Sequence, residues 1–250
     1  MTTQPTARQQ SGGFTLVELL VVVAILAVLA TLTISAAMLA IGAAHNAAIT
    51  VEVMNFDSAV KSFKNAHQST QGFPPDGSAG AASVEAYLNS LTRNAQPPQG
   101  IDIATGASRS SDLADLGPSE ALYFWLSGQA LSDGKSWFDF DPTRLIDADG
   151  DGWLEYQAKY CGGTPYVYFA AATYDSAAYM HHNGGTVRPY RSDVPLTEFA
   201  AQHTIQIIAA GQDGDFGGGA GHFPSGNGYT PADHDNITNF SEGTLENRIP

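Results

Sequence analysis

The sequence predicts an α+β fold in which one long amino-terminal helix packs on a small antiparallel β-sheet with long loops. Three observations predict it. Residues 19–44 form an apolar run with no formal charge and no proline, longer than the roughly 20 residues a helix needs to cross a bilayer core. Directly after it, Ile49, Val53, Phe56, Val60 and Phe63 recur at spacings of four, three, four and three, the pattern of a helix with one apolar stripe. Further on, two short apolar segments, 165–171 and 204–210, stand among stretches rich in Gly, Ser, Pro and Asp, as short strands between loops do.

The long helix is predicted from Phe14 to about Ala66. Its first half is apolar all round, and its second half is amphipathic because Glu52, Asn55, Lys61, Ser62 and Asn65 fall largely off the stripe. At about 1.5 Å per residue it would be roughly 80 Å long. Gly72 and the Pro74-Pro75 pair end it, since proline removes a donor and clashes with the preceding turn. Ser35 and Gly42 are its weakest interior points.

Residues 76–117 are rich in Gly, Ala, Ser and Pro, with a short helix predicted over 83–92. Ser83 is its expected cap, and Ala86 stands where a capping box would need a glutamate. Residues 119–131 read as a further helix with Leu122, Trp125 and Leu126 on one face. Strands follow at 165–171 and 204–210, and Glu155-Tyr156 begins a third. From Gly211 onward the chain is mostly glycine, aspartate and asparagine and reads as a long loop.

At 250 residues the chain holds an anchor and one soluble domain of about 190 residues, enough for a real core. Its formal net charge is −14. Such an acidic surface argues against nucleic acid and anionic headgroups as partners, and suits cation binding. Cys161 is the only cysteine, so packing, hydrogen bonds or metal must hold the domain together.

The segment Gly12-Gly13-Phe14-Thr15-Leu16-Val17-Glu18 precedes the apolar run. A secretory signal is cut after its apolar stretch; here the small-residue site lies before it, between Gly13 and Phe14, so the apolar helix stays with the mature chain. Cleavage there removes only Arg8 among charged residues and leaves 10 basic against 25 acidic side chains, a net of −15. Glu18 sits at the rim of a lipid-suited segment, where an ionisable group is costly and has a partner.

Glycine, phenylalanine, glutamate four residues later and the apolar run together resemble the class III signal of type IV pilins and type II secretion pseudopilins. The resemblance covers residue 13 to about residue 44. It implies a prepilin peptidase that cuts after Gly13 and methylates the new amino terminus at Phe14. It also implies that Glu18 neutralises the terminal amine of a neighbouring copy during filament assembly. An unpaired carboxylate in an apolar bundle is penalised by several kcal/mol, so a subunit offering its amine is the one accepted. The family often breaks this helix with a proline, which this chain lacks. The phrase Gly72-Phe73-Pro74-Pro75 resembles the helix exit of the same group. The resemblance divides the chain into a leader (1–13), a transmembrane and assembly helix (14–44) and a periplasmic pilin-like domain (45–250).

Two acidic segments are candidate calcium sites. Asp147, Asp149 and Asp151 alternate before Gly152, with Glu155 following. This is the opening of an EF-hand loop, although the twelfth position is Ala158 rather than a bidentate glutamate. In the tail, Asp213 and Asp215 lie in Gly211-Gln212-Asp213-Gly214-Asp215, and Asp235 lies further on. A glycine-rich loop buries little apolar surface, so something else must order it, and calcium between the two clusters is one means. The tail also resembles the carboxy-terminal calcium loop of major pseudopilins, with a longer spacer. Solvated turns are the alternative for both segments. Gly162-Gly163-Thr164-Pro165-Tyr166 resembles a turn-and-strand marker of that group without its tryptophan, and Cys161 beside it reads as a small packed residue. His181-His182 lack a carboxylate at helical ligand spacing. No nucleophile elbow or phosphate-cradling loop occurs, so no enzymatic activity is expected.

The expected function is a structural pseudopilin of type II secretion, held in the inner membrane with its domain in the periplasm. Its expected partners are prepilin peptidase, copies of itself, minor pseudopilins and the inner-membrane assembly platform. The alternatives are a type IV pilin of a surface fibre serving adhesion, motility or DNA uptake, and a membrane-tethered enzyme or binding domain. The missing carboxy-terminal cysteine pair of many type IV pilins favours the first.

Overall fold

The computed structural model describes residues 15–67, 72–91, 100–101, 108–109, 113–131, 134–181, 185–195, 198–217 and 221–249. Gly13, Phe14 and His182 lie outside the described residues. Two compact units are present, Met1–Ala43 and Ala44–Pro250.

Helix α1 runs unbroken from Leu16–Ala66, through both expected weak points. In its apolar half the hydroxyls of Thr31, Thr33 and Ser35 donate to the carbonyls of Val28, Ala30 and Thr31. These polar groups are thus satisfied inside the helix, as lipid requires. The apolar side chains of this half are exposed on every side, Leu16 by 78% and Leu39 by 77%. Ile49 is the first buried residue among those described. From there the stripe Ile49, Val53, Phe56, Val60 and Phe63 is fully buried.

After Pro74-Pro75, helix α2 spans Ala81–Leu91. It starts two residues ahead of the expected Ser83 cap. Gly80, at φ +80, makes the entry turn by donating to Gly77 O, and Ser83 inside the helix donates its hydroxyl to Gly80 O. Strands β1 (Gly100–Ile101) and β2 (Ser108–Arg109) pair antiparallel. Helix α3 covers only Ala121–Leu126, shorter than the expected 119–131. Ser127 and Gly128 end it: Gly128 has φ +87, and a Cβ there would meet Gly134 O at 2.8 Å. Leu122, Trp125 and Leu126 are buried as expected, but so are Ala121 and Phe124.

Strands β3 (Leu145–Ile146) and β4 (Glu155–Tyr156) form an antiparallel pair. Strand β5 is Val167–Ala170. Strands β6 (Tyr179–Met180) and β7 (Thr186–Val187) pair antiparallel. Strand β8 (Arg191–Ser192) pairs in parallel with β10 (His222–Phe223). The main sheet has the order β11-β9-β5, with β9 (Ile205–Ala209) between β5 and β11 (Ile237–Thr238). Its pairing is antiparallel throughout, with Val167 opposite Ile208 and Ile237 opposite Ala209.

This sheet is covered on both faces. Tyr168, Ala170, Ile205, Ile207, Ala209 and Ile237 join the core built on the α1 stripe. Val167, Phe169 and Ile208 join a second core with Tyr190, Phe216 and Leu245. A sheet buried on both sides explains why its strands read as continuous apolar runs rather than as alternations.

Candidate functional site

At the head of α1, Thr15 and Glu18 form a reciprocal cap. Glu18 Oε2 accepts from Thr15 N–H and from its hydroxyl, each at 2.9 Å, while Glu18 N–H donates to Thr15 Oγ1 at 3.2 Å. A Thr-x-x-Glu box before an apolar run is a sequence-level start signal, and it was present in the chain alongside the cleavage pattern. The box holds the Glu18 carboxylate, exposed, in the first turn of a helix whose residues 19–41 are uncharged and all exposed. Residues Leu16–Ala66 make a helix long and apolar enough to cross a membrane.

The acidic loop lies between β3 and β4. Three of its carboxylates fold back on their own backbone: Asp147 Oδ1 accepts from Gly150 N–H at 2.8 Å, Asp149 Oδ1 from Asp151 N–H at 3.2 Å, and Asp151 Oδ1 from Trp153 N–H at 2.7 Å. Oxygens of Asp147, Asp149 and Asp151 converge within 4.8 Å of one another, as do those of Glu120, Asp149 and Glu155. Glu120, just ahead of α3, is the member that sequence reading missed. Both glutamates are buried. Burial pushes the Glu155 carboxyl up to about 8 and the Glu120 carboxyl up to about 7. Burial likewise takes Asp151 to about 6.

In the tail, Asp235 Oδ2 clasps the Gly211 turn by accepting from the N–H groups of Gln212 (2.7 Å) and Asp213 (3.1 Å). Asp235 Oδ1 is buried and has no hydrogen-bond partner. Asp213 Oδ1 accepts from Asp215 N–H at 2.8 Å, and Asp215 Oδ1 from Gly217 N–H at 3.1 Å. Burial raises the Asp213 and Asp235 carboxyls above the ordinary range, and the Asp213 charge adds to the effect on Asp235. Asp213, Asp215 and Asp235 thus share one loop cluster, but they are not among the trios that converge within 4.8 Å.

A polar network orders much of this tail. Asp233 accepts from Thr230 N–H and hydroxyl and from the Tyr190 hydroxyl. Asn236 donates to Tyr190 Oη and Phe216 O. Asn239 donates to Asp57 of α1 and to Ile205 O. Single residues in a glycine-rich stretch carry no periodic signal, so these roles were not legible beforehand.

Residues 8–34 match the family model of the prokaryotic N-terminal methylation motif. That signal is the class III signal of type IV pilin-like proteins. The match covers the signal and the first part of α1, and the long helix followed by small antiparallel sheets agrees with that fold. No curated protein and no solved structure shows significant similarity to it. A class III signal implies processing by prepilin peptidase, and with the apolar helix it makes the chain a single-pass membrane-anchored protein.

Cys161 and His181 are packed inside the domain. Cys161 is fully buried, and burial pushes its thiol up to about 12, which leaves it unreactive at neutral pH. Its turn meets the tail backbone to backbone: Thr164 Oγ1 donates to Gly214 O at 2.7 Å, and a Cβ on Gly214 would come within 3.0 Å of Cys161 O. His181 is buried beside Phe216.

Proposed function

We propose that the chain is a structural, non-enzymatic subunit of a type II secretion pseudopilus. In this reading it is made as an inner-membrane precursor with residues 45–250 in the periplasm. Prepilin peptidase cuts it after Gly13 and methylates Phe14, and the inner-membrane platform assembles it with its own copies and with minor pseudopilins. The observation that carries the reading is the uncovered apolar half of α1 headed by the capped Glu18 carboxylate. At about 25 cal/mol per Å² of apolar surface, such a helix demands lipid or neighbouring helices around it. A carboxylate fixed at its head is a charge that a neighbouring terminal amine can neutralise.

A structural calcium ion at Asp213, Asp215 and Asp235 belongs to this reading. The buried, unpartnered Asp235 Oδ1 supports it, because an orphaned carboxylate oxygen beside other carboxylates suits a hard cation.

Co-expression with a prepilin peptidase tests the reading by intact mass and electron microscopy. The expected product lacks residues 1–13, carries one methyl group on Phe14 and enters filaments. Glu18→Ala should be cut normally yet leave filaments at background. A chain neither cut nor methylated would overturn the proposal. In the native host, loss of protein secretion with surface fibres intact supports the pseudopilus; the reverse supports the surface-fibre pilin.

A further inference from the structure

We propose that Tyr160, stacked on His45 at the start of the folded unit, is an interfacial anchor that rests the domain on the zwitterionic headgroup layer of a bilayer. Such a contact presupposes the membrane anchor, whichever filament the chain enters.

The helix places His45 at that layer. Between Glu18 and His45 the only polar side chains are those of Thr31, Thr33 and Ser35, and each hydroxyl bonds to a carbonyl of α1. His45 follows Glu18 by 27 positions, about 40 Å of helix at the usual rise. A bilayer with its headgroup layers measures roughly 40–45 Å. With Glu18 at one water boundary, His45 reaches the other.

There the folded unit, Ala44–Pro250, supplies an aromatic. The His45 and Tyr160 rings stack with centroids 3.8 Å apart and planes 8° from parallel. Lys159 Nζ lies 5.4 Å from the Tyr160 ring centroid. Tyr160 is 43% exposed and is the only exposed aromatic residue among those described. Tyrosine is enriched at membrane–water boundaries because its ring suits the apolar edge and its hydroxyl the wet one. An adjacent lysine lays its stem beside such a ring and extends its ammonium to phosphate. Tyr160 also has φ +64, a conformation that a bulky residue rarely adopts. Backbone strain of this kind collects at functional positions, and here it presents a ring that the domain leaves half uncovered.

Charge selects the headgroup. Gln212 Nε2 donates to Asn46 Oδ1 at 2.5 Å, which brings the exposed Asp213 to the same end of the domain. With a formal net charge of −14, the chain is repelled by an anionic surface and by a second copy alike. A zwitterionic headgroup offers Lys159 a phosphate without that repulsion.

The test is electron paramagnetic resonance of the full chain in phosphatidylcholine vesicles, with a nitroxide on Lys159→Cys, Ser62→Cys or Leu29→Cys. Cys161 is fully buried and stays unlabelled. Collision rates with oxygen, which concentrates in lipid, and with a water-soluble nickel chelate give the depth of each label. Leu29→Cys should report hydrocarbon, and Ser62→Cys, exposed and 17 positions past His45 on α1, should report water. Lys159→Cys should show an oxygen-to-nickel ratio at least about threefold above that of Ser62→Cys, at any protein-to-lipid ratio. Adding Tyr160→Ser, with an unchanged far-UV spectrum as the check on folding, should remove most of this difference. The proposal falls if Lys159→Cys matches Ser62→Cys while Leu29→Cys reports hydrocarbon. If Leu29→Cys also reports water, the membrane anchor falls with it. It falls as well if the shielding needs crowded protein, since a second copy would then cover the ring, or if it survives Tyr160→Ser.

Discussion

Asp76 follows Pro74-Pro75 in a turn and is completely buried. Its oxygens accept from Ser78 N–H and Ala170 N–H, each at 2.9 Å, and from the Thr173 hydroxyl. Burial raises its carboxyl above the ordinary value of 3.8, and the three hydrogen bonds only partly oppose the rise. Because the folded value is the higher one, the unfolded chain ionises first as pH increases. The stabilisation is therefore complete below about pH 3.8 and is lost as pH rises through the folded value. Asp76→Asn loses one acceptor oxygen and should cost about 1–3 kcal/mol for the donors left unpaired. The gap to the parent in denaturant midpoint should narrow as pH rises; a gap that widens would contradict the assignment. Glu18 was singled out in the sequence because its cleavage and membrane signals lie within a few residues. Asp76 and Glu120 were not, since their roles depend on partners far along the chain: Ala170 is 94 positions from Asp76.

At the scale of elements, periodic packing was readable and polar crossing points were not. All five residues of the α1 stripe are buried, with Asp57 and Ala59 buried beside them, because a helix repeats its environment every turn. The ends of α2 and α3 shifted because glycines at positive φ decide them, and a glycine's conformation is set by the backbone it meets. What fastens α1 to β4 was invisible. The Arg144 guanidinium grips Glu52 of α1 with two bonds of 2.7 and 2.8 Å, donates to Gln157 O and lies 4.2 Å over the Tyr156 ring, while the Tyr166 hydroxyl also donates to Glu52. Both charged side chains are largely buried, at 15% and 18% exposure. Removing one partner leaves the other charge desolvated and unpaired, so Arg144→Met should cost about 3 kcal/mol. Urea denaturation of the parent and variant measures this, and Glu52→Gln combined with Arg144→Met should recover part of the loss. Full additivity of the two substitutions would refute the coupling.

At the scale of the molecule, the folded domain and the apolar helix answer to different solvents. No described residue before Ile49 is buried, and every residue of both hydrophobic cores lies at or beyond it. The domain's stability therefore rests on contacts made within Ala44–Pro250, while the first half of α1 exposes Leu, Val and Ile on all sides. A chain truncated to begin at Ala44 retains 10 basic and 24 acidic side chains, a net of −14, since Arg8 and Glu18 are the only charges removed. That repulsion favours a soluble monomer. The truncated chain should remain monomeric in detergent-free buffer by sedimentation. Its unfolding free energy should match that of the full chain in detergent to within about 0.5 kcal/mol, as for changes that touch no core contact. The full chain without detergent should aggregate, because the described apolar side chains before Ile49 are exposed. If the truncated chain lost its cooperative transition, residues before Ala44 would have to contribute to the core, and the division between anchor and domain would be wrong.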